Sequence, residues 1–315
     1  MAKYRNQLPQ LSGKDLFLTD GGMETTMIFH EGIDLPHFAV FNMMQSKTGI
    51  AKVRDYYRRY AEMARRSNIG FVLESPTWRA NPDWAANLGY SCDGLADINR
   101  RSIDLMAELR WELETENSPM VISGAIGPRG DGYRQDQMMS YAEAADYHSE
   151  QIRVFADSEA DMAGAFTLNY VEEAIGIVQA AKAAGIPVAI SFTLETDGNL
   201  PTGQPLKDAI LQVDAETKSA PAYYMINCAH PSHFESALAN NEAWLKRLRG
   251  IRANASRRSH AELDAAPELD MGNPVELGQQ YRELRKKLPQ LSVLGGCCGT
   301  DHRHVEQIAL ACIAA

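Results

Sequence analysis

The chain has 315 residues, 45% of them hydrophobic and 23% charged, a size that a single α/β barrel reaches and a balance close to that of ordinary globular proteins. Its formal net charge of −10 argues against nonspecific binding to nucleic acid or to an anionic membrane, since both need a basic surface. No run approaches the roughly 18 apolar residues of a membrane span, and the polar segment 1–14 has no signal-peptide core, so a cytoplasmic location is expected.

Short apolar runs alternate with helix-length runs along the chain. The first run, 16–19, ends at Asp20-Gly21-Gly22, and an amphipathic helix is predicted over 52–66. The second, 71–73, ends at Glu74 and precedes a helix over 98–116. The third, 121–123, leads into Gly124-Ala125-Ile126-Gly127-Pro128 and a helix over 141–158. A weaker run at 161–166 is followed by a helix over 171–184, and 187–192 by a helix over 206–213. The run 222–226 ends at Asn227-Cys228, with a helix predicted over 234–248. The last two runs, 251–255 and 292–294, precede helices over 275–287 and 302–312, and the final run ends at Gly295-Gly296-Cys297-Cys298. Eight strands alternating with helices predict a parallel sheet with helical crossovers. A closed (β/α)8 TIM barrel is favoured over an open doubly wound sheet, because the unusual residues follow the C-terminal ends of many different strands and no G-x-G-x-x-G follows the first. Residues 1–315 are read as a single barrel domain. The polar stretch 252–273 is long for a plain connection and is either a functional loop or poorly ordered.

There are five cysteines, an odd number that argues against a disulfide framework. Cys228 follows the sixth predicted strand, and Cys297 and Cys298 follow the eighth. In a barrel both strand ends open on one face, so three thiolates can converge there and leave one position of a tetrahedral metal open, the mark of a catalytic zinc. Soft sulfur donors with no redox partner favour zinc. Neighbouring residues of a strand point to opposite faces, so the glycines around Cys297-Cys298 are expected to relax the backbone and turn both sulfurs inward. Buried free thiols and a vicinal disulfide are the competing readings of the pair. Cys92 and Cys312 have no such context.

Gly295-Gly296-Cys297-Cys298-Gly299-Thr300, with Asn227-Cys228 before it, resembles the zinc signature of the homocysteine S-methyltransferase family. Thr19-Asp20-Gly21-Gly22-Met23-Glu24-Thr25, Gly124-Ala125-Ile126-Gly127-Pro128 and Ser191-Phe192-Thr193 are similar to further motifs of that family, in family order over about 16–310. The resemblance implies a (β/α)8 barrel, Zn2+ held by Cys228, Cys297 and Cys298, and transfer of a methyl group from a small sulfonium or betaine-type donor to the thiol of homocysteine, giving methionine. It places Asp20, Gly21 and Gly22 at the amino-acid end of homocysteine, Thr193 on the pocket wall, and Asn227 at the loop, the substrate, or both. Many family members carry a glutamate after strand four that binds the substrate ammonium; this chain reads Phe166-Thr167-Leu168, and Glu74 after strand two is the carboxylate that can replace it. That departure keeps open a different thiol acceptor, or demethylation of a small compound. A zinc- or thiol-sensing barrel without turnover is a third reading. No cobalamin or folate module follows the last helix, so a small diffusing donor such as S-methylmethionine, S-adenosylmethionine, a betaine or dimethylsulfoniopropionate is expected. For such a cation, Phe38, Trp78, Trp84 and Tyr133 lie near strand ends, where aromatic faces attract positive charge. The expected partners are therefore small molecules, with neither nucleic acid nor membrane, and homo-oligomerisation is left open.

Overall fold

Within each strand, side chains alternate between two apolar surroundings, so the strands read as continuous hydrophobic runs. In β2 (Gly70–Glu74), Val72 packs inside the sheet with Val121 and Phe166, while Phe71 and Leu73 pack outward against helices. The computed structural model describes residues 1–13, 16–239 and 242–313. Its strands are β1 (Phe17–Leu18), β2, β3 (Met120–Ile126), β4 (Met162–Leu168), β5 (Val188–Thr193), β6 (Tyr223–Asn227), β7 (Leu248–Ala253) and β8 (Val293–Gly296). All neighbouring strands pair in parallel in chain order, and β8 closes on β1, giving the predicted eight-stranded barrel. Large and small residues interleave inside it, with the Met225 side chain against Gly250 and the Phe166 ring against Gly164.

Helices cover the outside: α1 (Lys47–Arg66), α2 (Cys92–Leu113), α3 (Tyr141–Ala156), α4 (Val171–Ala184), α5 (Leu206–Thr217), α6 (Pro274–Lys287) and α7 (His302–Ile313). In α1 the buried residues Val53, Tyr56, Tyr57, Tyr60, Ala61 and Ala64 follow the helical repeat, and the Ser46 side chain accepts from Gly49 N–H to start it. Ser140 and Glu143 form a reciprocal capping box that starts α3, where a cap contributes about 1 kcal/mol. None of these helices is long and apolar enough to cross a membrane.

The connection between β6 and β7 departs from the predicted helix over 234–248. It contains a four-residue helix, Pro231–Phe234, turns, and a 3-10 helix, Ala243–Arg247; the predicted span also includes Asn240 and Asn241, which lie outside the described residues. Phe234, Leu238, Trp244 and Leu245 are all buried, but separate turns rather than one helical face bring them in. Strand β7 correspondingly begins at Leu248, three residues before the predicted run. Segment 1–13 plugs the N-terminal end of the barrel: Leu8 joins the interior cluster, Ser292 Oγ donates to the Gln10 carbonyl, and Asp161 accepts from the Tyr4 N–H at 2.6 Å while pairing with Arg110 at 2.7 Å. The opposite end is left open for chemistry.

Candidate active site

The C-terminal ends of the strands surround a cavity of about 420 Å³. The inward-facing positions at the tops of the strands line it: Glu74 on β2, Phe166 on β4, Asn227 on β6 and Arg252 on β7, joined by Asp20, Gly21 and Gly22 after β1. Cys228, Cys297 and Cys298 face the same cavity from the ends of β6 and β8, and their sulfurs all lie within 4.8 Å of one another. The three residues singled out from strand spacing therefore do converge.

Local backbone explains how. Cys228 adopts φ 53°, which swings its side chain off the strand, and Gly299 adopts φ 77° just after the cysteine pair. Gly22 works by close approach instead. A Cβ there would lie 2.5 Å from the Cys297 carbonyl oxygen, and its N–H donates to the Thr300 carbonyl at 3.0 Å. Gly21 and Gly22 thus let the β1 loop pack directly beneath the cysteine loop; the Gly22 N–H is already engaged, so it is not a free donor for a substrate carboxylate. Gly295 and Gly296 likewise admit the Thr19 and Thr300 side chains and have no positive φ, so of the glycines around the pair only Gly299 relaxes the backbone in the expected sense.

The structure joins Cys228 to Cys297 as a disulfide, with Cα atoms 5.5 Å apart, and leaves Cys298 free. An odd cysteine count spoke against a disulfide framework; the pair formed is a local one, and it is not the vicinal Cys297-Cys298 pair. Sulfurs gathered to one point are within reach of each other, and a metal takes them only as thiolates, so the metal-binding form is the reduced one. Burial pushes the Cys298 thiol up to about 11, opposed by a hydrogen bond with Tyr133. Three soft donors gathered at one point, with the fourth side facing the cavity, fit a tetrahedral metal that keeps one position for an outside ligand. Cys92 is exposed at the start of α2, and Cys312 is buried in α7, both away from this site.

Asn227 organises the loops around the sulfurs. Its Oδ1 accepts from Thr167 N–H at 2.9 Å and from Ser191 Oγ at 2.6 Å, and its Nδ2 donates to Thr167 Oγ1 at 2.8 Å. Thr167 sits at φ 60°, a conformation that disfavours a β-branched residue and costs about 1–3 kcal/mol, and the two bonds to Asn227 hold it there. Its hydroxyl is 3.9 Å from the Cys228 sulfur.

Arg252 was not singled out as a functional residue from the sequence, where it fell both in a predicted strand and at the start of the polar stretch. It lies between two carboxylates: Nη2 donates to Asp20 Oδ1 at 2.7 Å and Nη1 is 3.8 Å from Glu74 Oε1, while Nε donates to the Gly296 carbonyl at 3.0 Å. Burial works against its charge, but Asp20 and Glu74 outweigh it and hold the guanidinium protonated. Asp20 also accepts from Tyr56 of α1 at 3.0 Å. Burial raises its carboxyl, opposed by Arg252 and Tyr56. Burial pushes Glu74 up to about 8, opposed by Arg252, and its Oε2 has no hydrogen-bond partner. The only sequence signal for Arg252 was a charged residue in an inward register at the top of a buried strand, visible once the start of β7 is known.

Thr193 is buried at the end of β5 but does not line the cavity; its hydroxyl is 3.4 Å from His260 Nε2. His260 belongs to the polar stretch after β7, which is ordered as a cover. Its short helix, His260–Asp264, and the residues following it form one wall of the cavity. The His260 ring stacks on Tyr133 of the β3–α3 loop with centroids 4.1 Å apart, and His304 Nε2 lies 2.7 Å from the Met271 carbonyl at the other end of the cover. His230 pairs with Ser232 instead of the metal site, and His302 lies near Arg59. Of the aromatics near strand ends, Phe38, Trp78 and Tyr133 line the cavity; Trp84 stands behind it, against Arg79.

A closed parallel barrel with a thiol cluster and buried carboxyl groups at its C-terminal mouth has the layout of a barrel enzyme, whose chemistry sits at that face. The chain belongs to the homocysteine S-methyltransferase family, whose model matches residues 17–312. It is 25% identical over 258 residues to betaine–homocysteine S-methyltransferase 1 of Rattus norvegicus, covering 76% of this chain and 60% of that protein. It is 24% identical over 332 residues to methionine synthase of Mycobacterium leprae, covering 98% of this chain and 25% of that one. The matches thus take in less than two thirds of these relatives' lengths. In fold it is similar to the homocysteine methyltransferase MmuM of Escherichia coli. The oxidized form superposes with a TM-score of 0.74 at 18% identity, covering 95% of this chain and 96% of that one; the metallated form gives 0.69 at 19%, covering the same shares.

Proposed function

We propose that the protein transfers a methyl group from a small sulfonium or betaine-type donor to the thiol of homocysteine, with zinc held by Cys228, Cys297 and Cys298. The observation that carries this reading is the convergence of those three sulfurs at the mouth of a barrel of this family. Bound there, zinc keeps an acceptor thiol deprotonated at neutral pH. The remaining work is orientation. Asn227 and Thr167 hold the loop that presents Cys228, and Gly21 and Gly22 seat the cysteine loop. Asp20, held by Arg252 and Tyr56, offers a carboxylate to the ammonium of the acceptor, with the Glu74 carboxyl beside it. In the transfer, a bond forms between the acceptor sulfur and the methyl carbon as the carbon–onium bond breaks, its electron pair leaving with the neutral sulfide or amine.

Thr167 stands where many relatives carry the ammonium-binding glutamate, and this favours a second reading with a different thiol acceptor. Glu74 supports the first, because it brings a carboxylate into the same cavity from β2. The partners on either reading are small molecules, and the setting is the cytoplasm, where the cysteines stay reduced. The test is methyl transfer by reduced, zinc-loaded protein to homocysteine from a panel of sulfonium and betaine donors, with methionine read by mass spectrometry. Methionine formed with wild type and lost, together with bound zinc, in Cys297→Ser is the expected result. Absence of methionine at stoichiometric zinc overturns homocysteine as acceptor, and normal zinc content in Cys297→Ser overturns the ligand assignment.

A further inference from the structure

Arg79 follows β2, on the side of the eight-stranded ring opposite β6 and its Cys228. Its guanidinium lies over two indoles, 4.5 Å from the centre of the Trp78 ring and 3.8 Å from that of Trp84. An aromatic face holds a guanidinium through its charge and leaves its N–H groups to bind other partners. Those groups are poorly used. Nη1 reaches only the Gly130 carbonyl at 3.4 Å, Nε is buried without a partner, and among the described residues Asp131 and Glu24 act on its charge without forming an ion pair. Arg252, the other arginine lining the cavity, is already committed to Asp20 and Glu74.

The charges around the cavity say what such a group is for. Seven acidic side chains line it against two arginines, so a cationic onium methyl is welcome and an isolated anion is not. A substrate carboxylate can settle only against a cation that is not already neutralised. We propose that Arg79 is the clamp for the carboxylate of the methyl donor, holding it on the β2 side of the cavity while the onium methyl is directed across to the sulfur cluster. Arg79 is a specificity residue in this assignment, acting on the part of the donor that does not react. The assignment rests on the proposed methyl transfer for the identity of the ligand, but its test does not use turnover.

Calorimetric binding of glycine betaine, dimethylsulfoniopropionate and S-methylmethionine to the full-length, reduced, metal-free protein, each compared with its methyl ester, provides that test. At least one acid should bind wild type roughly ten- to a hundredfold more tightly than its ester, the range expected of a charge-assisted hydrogen-bonded pair. Arg79→Gln should bring the ratio close to one. Arg79→Lys, which keeps the charge and loses the fork, should keep part of it, and it holds the comparison if the glutamine variant fails to fold. Homocysteine affinity should be unchanged in both variants. An acid-to-ester ratio unaltered by either substitution, no binding of any acid to wild type, or a loss confined to homocysteine each overturns the assignment. Methyl transfer failing while the Arg79-dependent ratio holds overturns the reaction and leaves the clamp.

Discussion

Glu74 sits where burial and charge oppose each other, and the balance is measurable. Its carboxyl is pushed up to about 8 from an ordinary 4.5. Between those values the folded protein retains a proton that the unfolded chain releases, so the contribution of this group is fully present below about 4.5 and is lost as pH rises to about 8. The unfolding midpoint of wild type is expected to fall across that window and to fall less steeply in Glu74→Gln. An equally steep fall in the variant places the titration elsewhere. Arg252 shows the converse case: a residue invisible as a functional one in the sequence becomes the hub of a buried charge cluster because its register turns it inward. Removing one partner of such a cluster is far more damaging than never having built it, since the remaining charge stays buried.

At the scale of elements, the strands were legible because a barrel strand is apolar on both faces, whatever its neighbours. The helix expected over 234–248 was not formed, since buried residues at irregular spacing satisfy a helical pattern and a series of turns equally well. The polar stretch after β7 carried no periodicity that could say where it lies; it became a cover through contacts at its two ends, the His260–Tyr133 stack and the His304 bond to the Met271 carbonyl, that form only in the folded chain. The ring stack is worth about 0.5–1.5 kcal/mol beyond its buried area. His260→Ala should therefore speed hydrogen exchange of 256–272 by roughly two- to tenfold while leaving the barrel strands protected. Exchange unchanged in that segment shows that the cover is held from its His304 end alone.

For the molecule as a whole, the sulfur centre ties distant parts of the chain together, since Cys228 and Cys297 are 69 residues apart in sequence and Thr300 meets Gly22 across almost the whole chain. A ligand that binds only the folded state stabilises it in proportion to the logarithm of its excess over Kd, about 4 kcal/mol at a thousandfold excess. Reduced protein loaded with zinc should melt above the chelated protein, and Cys297→Ser should erase the difference. An unchanged midpoint on chelation removes the metal from the stability of the fold.

By itself, the sequence determined the barrel, its strand count and the three cysteines at its mouth, because hydrophobic alternation and strand-end motifs are local properties of the chain. The tertiary structure alone decided that Thr193 meets His260 instead of lining the cavity, that Asp20 is bound to Arg252, and that Arg79 lies over Trp78 and Trp84 with its Nε unpartnered. Those outcomes depend on which side chains from different strands arrive at the same point, and closure of the ring brings such residues together irrespective of their distance along the chain.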